Sequence, residues 1–174
     1  MRIQNSSISI AEIREMFDRK DLVINKEYQR HAGFWPSNAK SYFIDTILNG
    51  YPFPKVYLYE TLVGTTKKIR REIVDGQQRI TTLIEYSNDG FALTNASLKY
   101  RSNRFSDLDD EKQNQFLSYS VPVDMILAAE RSEILEMFRR MNSYTQPLNP
   151  AEKRHSEFGG EFKWFINELG RVLN

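Results

Sequence analysis

The sequence contains no cysteine among its 174 residues, which excludes disulfide bonds, thiolate catalysis and cysteine-ligated zinc. It contains two histidines, His31 and His155, and neither lies in a spacing typical of metal ligands. There is no Gly-x-Ser-x-Gly nucleophile elbow and no His–Asn–His arrangement of a metal-dependent nuclease. These absences argue against serine hydrolases and against a histidine-based nuclease centre in this chain.

Long apolar runs and an excess of one charge are also missing. No stretch approaches the ~20 apolar residues that a membrane span needs, and the first residues lack the organisation of a signal peptide. Twenty-four basic and 23 acidic residues leave a net charge of +1, so no overall field draws the protein to DNA or membranes. We expect a soluble cytoplasmic protein without a membrane partner, in which any nucleic-acid contact comes from a local patch.

The composition is that of a folded domain. Hydrophobic residues make up 40% of the chain and aromatic residues 13%, which is enough to build one core at this length. We expect a single domain over residues 1–174, with an α/β core over about 10–126 and a helical extension over about 130–174. The fold class expected from the elements below is α+β.

Local signals place the elements. Ser9 followed by Glu12 is a capping box, and the apolar spacing after it predicts a first helix to about Arg19. Pro122 places its strand at a sheet edge, or marks the beginning of that strand. Helices are also predicted over about 37–48, 77–87, 109–117 and around 134–141, with a last helical part over 149–170. Strands are predicted over 22–24, around 56–58, over 69–74 and over 121–126.

The segment from Asp75 to Arg79 is the strongest candidate for a site. An apolar strand ends, Gly76 permits a tight turn, and a helix begins. Backbone N–H groups and the dipole at a helix N-terminus form a natural phosphate site, and Gly76 would let the backbone approach a ligand closely. Arg79 suits bidentate contact with phosphate oxygens, while Gln77 and Gln78 suit the orientation of a water or a base edge.

A purely structural interpretation of the same segment is also open. Asp75 and Gln78 have the spacing of an N-capping pair, and Asp75 and Arg79 have the spacing of an i,i+4 ion pair. No lysine of the Walker type follows Gly76. Residue chemistry alone therefore slightly favours a helix-start motif over a ligand site.

Three further constellations have similar alternatives. Gln29 and Arg30 in an irregular loop suit anion or base recognition, although Arg30 can equally pair with a surface carboxylate and Trp35 can anchor the loop in the core. Arg140, near a helix end, suits the helix dipole. The basic run 67–71 on a hairpin arm is the only local patch that suits nucleic acid, and such runs are more often a solvated strand face.

Together these motifs resemble the GmrS-like N-terminal domain of GmrSD restriction proteins, over about residues 10–162. The matching features are Tyr28-Gln29-Arg30 with Trp35, Tyr51-Pro52-Phe53-Pro54, Val74-Asp75-Gly76-Gln77-Gln78-Arg79 with Thr81-Thr82-Leu83, then Phe138, Arg140 and Asn142, and finally Glu152, Gly160 and Phe162. The resemblance implies a ParB/sulfiredoxin-like fold and nucleotide binding, often with hydrolysis, in defence against foreign or modified DNA.

The resemblance also implies roles for individual residues. Asp75 would position a divalent metal such as Mg²⁺ or a water, or act as a base, with Gln78 as its catalytic partner. The nucleotide-binding set would be Gln29, Arg30, Gly76, Gln77, Arg79, Thr81, Arg140 and Asn142.

The expected partners follow from this family. They are a nucleoside triphosphate with Mg²⁺, DNA as a further candidate, and a nuclease domain or subunit, because the chain ends at Asn174 without the histidine-containing nuclease domain of many relatives. We expect a nucleoside triphosphatase that does not cut DNA by itself, with an oligomeric state left open. The alternative is a ParB-like nucleic-acid-binding or protein-interaction module without turnover, because arginines that hold a triphosphate can also hold DNA phosphates.

Overall fold

The computed structural model describes residues 1–25, 35–64 and 67–143. The strands are β1 (Arg2–Ser9), β2 (Leu22–Ile24), β3 (Val56–Val63), β4 (Lys68–Asp75) and β5 (Ser120–Leu127). The helices are α1 (Ile10–Asp18), α2 (Ser37–Leu48), α3 (Gln77–Ser87), α4 (Asp110–Ser118) and α5 (Arg131–Ser143), with a 3-10 turn over Phe105–Asp107. This combination confirms the α+β class, while the finer likeness to ParB and sulfiredoxin stays a prediction.

The strands form one mixed sheet in the order β1-β5-β3-β4-β2. β1 is antiparallel to β5 and β3 is antiparallel to β4, whereas β5 is parallel to β3 and β2 is parallel to β4. β5 pairs with β3 only over Val56–Tyr59, and β2 pairs with β4 only over Arg71–Ile73. The far ends of β3 and β4 therefore extend beyond their outer neighbours in the sheet.

The predicted capping box starts α1. Ser9 Oγ accepts a hydrogen bond from the Glu12 backbone N–H at 3.2 Å, and the Glu12 carboxylate accepts one from the Ser9 N–H at 2.9 Å. Hydrogen bonds from the Ser9 side chain and backbone lower the pKa of Glu12, because they stabilise its charged form. The apolar face of this helix, with Ile10, Ile13 and Met16, is buried in the core.

The main core lies on the face of the sheet that carries α1 to α4. Leu58 and Met125 point into it, and Tyr86 of α3 packs there against Phe105 and Phe116. Burial raises the pKa of Tyr86 well above its ordinary value. Alternate strand residues face opposite sides of a sheet, and a smaller cluster on the other face is formed by Val74, Ile126 and Ile134, with Tyr57 and Tyr59 partly buried against it. The first part of α5 thus covers the second face.

The prediction of an edge position for β5 was wrong, because the sequence analysis did not find β1. β1 is polar and mostly exposed, and it pairs with β5 over the whole length from Arg2↔Leu127 to Ser9↔Ser120. Pro122 is tolerated because it lies near the beginning of β5, as the alternative interpretation held. Pairing with β3 begins only at Val123, so the missing N–H lies beyond the end of that ladder.

The chain divides into two units, Met1–Phe138 and Arg139–Asn174, and the sheet and α1 to α4 belong to the first. The predicted division into a core over 10–126 and an extension over 130–174 stays a prediction. The last helical part, predicted over 149–170, lies outside the described residues. Within the described part of the chain, no helix is both long and apolar enough to cross a membrane.

Candidate functional site

The candidate site lies where β4 ends and α3 begins, as the sequence predicts. Ile73 and Val74 bury the last part of the strand, Asp75 ends it, and the helix starts at Gln77. Leu58 pairs with Ile73 but Tyr57 pairs with Asp75, so Val74 is an extra residue in β4. Such a β-bulge bends the strand and re-aims the side chains beside it. The bulge therefore fixes the direction in which the chain leaves the sheet at Asp75.

Gly76 is required here by the fold itself. Its φ of 92° lies in the left-handed region, and a Cβ at this position would lie 2.4 Å from Val56 Cγ1 and 2.9 Å from Val56 Cβ. Both conditions make any residue with a side chain strained at this position. The glycine thus lets the turn pack against the beginning of β3, which explains its presence without a ligand, and its predicted phosphate contact stays a prediction.

Asp75 and Arg79 form the predicted i,i+4 ion pair. Arg79 Nη2 donates to Asp75 Oδ2 at 2.7 Å, and the Asp75 side chain remains 38% exposed. The predicted capping pair of Asp75 and Gln78 was wrong, because Gly76 is the N-cap residue and no side chain caps the helix. The N–H groups of the first helical turn are therefore left without a side-chain acceptor among the described residues, a condition that favours anion binding.

Arg79 also ties α3 to the beginning of β3. The same Nη2 atom donates to the carbonyl oxygen of Lys55 at 3.3 Å, and the side chain is only 17% exposed. Its Nε is buried and has no hydrogen-bond partner among the described residues. Arg79 therefore has a structural function in addition to any function in ligand binding.

Gln78 connects the site to the loop that precedes α2. Its Oε1 accepts a hydrogen bond from the Trp35 backbone N–H at 3.2 Å. The Trp35 ring is partly buried and packs edge-on against Phe43, with ring centroids 5.4 Å apart. This confirms Trp35 as an anchor in the core, and it places the Trp35 backbone beside the start of α3.

Thr81 and Gln77 are the other predicted ligand-binding residues of α3. The Thr81 hydroxyl donates within the helix to the carbonyl of Gln77 at 2.9 Å, with a longer contact to that of Gln78 at 3.3 Å. Its proton is thus used by the helix, which leaves only lone pairs for a ligand. Gln77 is half-buried in the first turn.

Lys55 and Asp124 were missed by the sequence analysis. Lys55 Nζ lies 2.5 Å from Asp124 Oδ2, and the Asp124 side chain is 6% exposed while that of Lys55 is 45% exposed. The hydrogen bond to Asp124 raises the pKa of Lys55, since it stabilises the ammonium form. A carboxylate within the apolar strand Ser120–Leu127 was the available signal, because a buried charge needs a partner.

These groups lie in a row across three strands. Tyr57 of β3 pairs in register with Asp75 on one side and with Asp124 on the other. Within the described residues, no group of three or more histidine, aspartate or glutamate side chains could hold a metal ion. A divalent ion at Asp75 would therefore depend on ligand and water oxygens for most of its coordination.

For four predicted residues the structure gives no position relative to this site. Gln29 and Arg30 lie outside the described residues. Arg140 and Asn142 lie on the last turns of α5, in the second of the two units. Their roles stay predictions.

The comparison with protein-family models decides the family. Residues 13–159 match the model described as GmrSD restriction endonuclease, N-terminal domain. The chain belongs to this family. The match includes Lys55, Asp75 to Arg79 and Asp124, so the whole site lies within the GmrSD N-terminal domain. A search of curated proteins found no match to the chain. Family membership makes the chain a component of a restriction system.

Proposed function

We propose that this GmrSD N-terminal domain binds a nucleoside triphosphate at the start of α3 and hydrolyses it to regulate DNA restriction by a nuclease domain or subunit. One observation carries the proposal. The N-terminus of α3 has no side-chain cap, and it is flanked along the chain by Asp75 and Arg79, whose side chains form an ion pair. An uncapped helix start next to a cation is a natural receptor for phosphate oxygens.

Two cations serve the phosphates in this proposal. Arg79 uses Nη2 for both of its hydrogen bonds and its Nε is buried, so Nη1 is the atom that remains for a ligand as far as the described residues go. Lys55 is half-exposed and its carbonyl oxygen is bonded to Arg79, which places a second positive charge at the same edge of the sheet. The N–H groups of Gln77 and Gln78 contribute the helix-dipole end.

Asp75 and Gln78 would carry the hydrolytic step. The exposed fraction of the Asp75 side chain, 38%, leaves a carboxylate oxygen free to orient a water or accept its proton. The hydrogen bond from Trp35 fixes the Gln78 amide, so that its NH₂ group would hold the same water. A bound Mg²⁺ would neutralise phosphate charge, and Asp75 is the residue that would hold it together with phosphate and water oxygens.

The test is nucleotide binding and release of inorganic phosphate by the purified protein, with and without Mg²⁺. Asp75→Asn keeps the size of the side chain but removes its charge. Asp110→Asn, at an exposed carboxylate in the first turn of α4, is the matched control. We expect Asp75→Asn to reduce phosphate release at least about a hundredfold, the lower range for a general base, and the control to leave it unchanged.

The outcomes separate the proposal from its alternative. Binding without phosphate release in the parent protein would support the module without turnover. Absence of nucleotide binding by the correctly folded parent protein would contradict the assignment of the α3 start as a nucleotide site.

A further inference from the structure

The far ends of β3 and β4 form a two-stranded ribbon, defined here as Thr61–Val63 paired with Lys68–Arg70. The neighbouring strands do not reach it, because β5 pairs with β3 only as far as Tyr59 and β2 pairs with β4 only from Arg71. Its residues are exposed except for Thr61, which is half-exposed. The ribbon therefore projects from the sheet as an arm whose two strands pair only with each other.

The ribbon is positively charged on one face. Thr61↔Arg70 and Val63↔Lys68 are paired positions on that face, and Lys67 lies at the turn. Lys20 of the turn after α1 lines the same shallow depression as Lys68 and Arg70. Four cations thus converge on one end of the molecule, whose overall charge is only +1.

Among the described residues, Lys68 is the one of these four cations that forms an ion pair. Lys68 Nζ pairs with Asp21 Oδ1 at 2.8 Å, and this contact is the largest cause of the lowered pKa of Asp21. Lys20, Lys67 and Arg70 have no ion-pair partner in the described part of the chain. Positive charge therefore exceeds negative charge at this end.

The base of the ribbon is held firmly. Arg71 pairs with Glu60 across the two strands, with Nη2 and Oε2 2.9 Å apart, and its backbone N–H donates to the Asp21 carbonyl at 2.7 Å. A fixed base presents the exposed cations in one geometry. This reduces the entropy that would be lost when they contact a partner.

We propose that the cationic face of this ribbon binds the phosphate backbone of duplex DNA, with Lys20, Lys67 and Arg70 as the contacting residues. A two-stranded ribbon fits the width of the DNA major groove, and exposed lysine and arginine are the usual phosphate contacts. Lysine on an edge strand also discourages edge-to-edge pairing. That simpler role does not explain why Lys20, on a separate turn, lines the same depression as Lys68 and Arg70.

The ribbon is distinct from the nucleotide site. Lys68 and Asp75 are the two ends of β4, which at ~3.3 Å per residue puts them roughly 23 Å apart. The two proposals can therefore fail separately.

The experiment measures the affinity of the full chain for a short labelled DNA duplex by fluorescence anisotropy, over about 50 to 200 mM salt. The test variant is Lys67→Gln with Arg70→Gln. The matched control is Lys99→Gln with Arg101→Gln, an exposed lysine and arginine with a similar spacing and the same change in net charge. A second control, Leu62→Ser, changes an exposed residue on the opposite face of the same ribbon, outside the depression that Lys20 lines.

We expect the test variant to bind DNA at least about tenfold more weakly and to lower the salt slope of log K by about 1.8, which is ~0.9 for each lost contact. Both controls and Asp75→Asn should bind like the parent protein. Four results would each overturn the proposal: no DNA binding by the parent, equal loss in the Lys99/Arg101 control, loss only in Leu62→Ser, or loss only in Asp75→Asn. A change in oligomeric state of the ribbon variants without a change in DNA affinity would also overturn it.

Discussion

The two ends of β4 have opposite characters. At the Asp75 end the strand is buried and bulged, and Gly76 and Arg79 hold it against the beginning of β3. At the Lys68 end the strand is exposed, and β3 is the strand that pairs with it. The first end offers a fixed arrangement of backbone N–H groups and charges, as a small anionic ligand requires. The second offers accessible cations on an arm, as an extended polyanion requires.

The largest difference between the ends should appear in substitutions of glycine. Gly76→Ala combines a left-handed φ with a clash against Val56, so we expect a loss of about 2–5 kcal/mol in the free energy of unfolding. Gly64→Ala, at the ribbon end, has a φ of +66° but no atom within 4 Å of the added Cβ. Gly64→Ala should lower the free energy of unfolding only by the backbone strain of about 1–2 kcal/mol. Denaturant unfolding of both variants measures this, and equal losses would show that packing against Val56 contributes nothing.

Arginine substitutions should give the next largest difference. Arg79→Ala removes the hydrogen bonds to Asp75 and to the Lys55 carbonyl, and we expect it to destabilise the fold by about 1–3 kcal/mol. Arg70→Ala should change stability by less than about 0.5 kcal/mol, because the side chain is exposed. Nucleotide affinity per folded molecule should fall in Arg79→Ala and not in Arg70→Ala. Destabilisation of Arg79→Ala with unchanged affinity would make Arg79 purely structural.

These differences mark the boundary of what the sequence can predict. The capping box at Ser9 and the strand–turn–helix at Gly76 were found because their signals lie within a few residues of each other. The pairing of Lys55 with Asp124 was not, since the two are distant in the chain and meet only through the β3–β5 register. The contact of Arg79 with the Lys55 carbonyl could not be predicted either, because the two residues are 24 positions apart in the chain.

Strand β1 could not be predicted from the sequence for a related reason. β1 has a polar sequence with little alternation of buried and exposed residues, and it is stabilised by pairing with β5 rather than by an apolar face of its own. Without β1, Pro122 indicated an edge. The basic run 67–71 was found from sequence, but only the strand pairing shows that it projects as a ribbon.

The smallest effect is expected from the ion pairs at the ribbon end. Asp21→Asn removes the pairs with Lys68 and Arg19, whose cationic side chains are mostly exposed, so the melting temperature should change only slightly at neutral pH. Because the hydrogen bond from Lys68 lowers the pKa of Asp21, its contribution is present above the unfolded-state value near 3.8 and is lost as the pH falls through the lower folded value. The stability of the parent and the variant should therefore converge in acid. A stability difference between parent and variant that widens as the pH falls would contradict the lowered pKa of Asp21.

Amide chemical-shift mapping tests the contrast between the two ends most directly. Isotope-labelled protein would be titrated with a nucleoside triphosphate and Mg²⁺, and separately with a short DNA duplex. The account predicts that the nucleotide shifts the amides of Gly76 to Arg79 and leaves those of Lys67 to Arg70 unchanged, and that DNA does the reverse. Nucleotide-induced shifts confined to residues away from the start of α3 would contradict it.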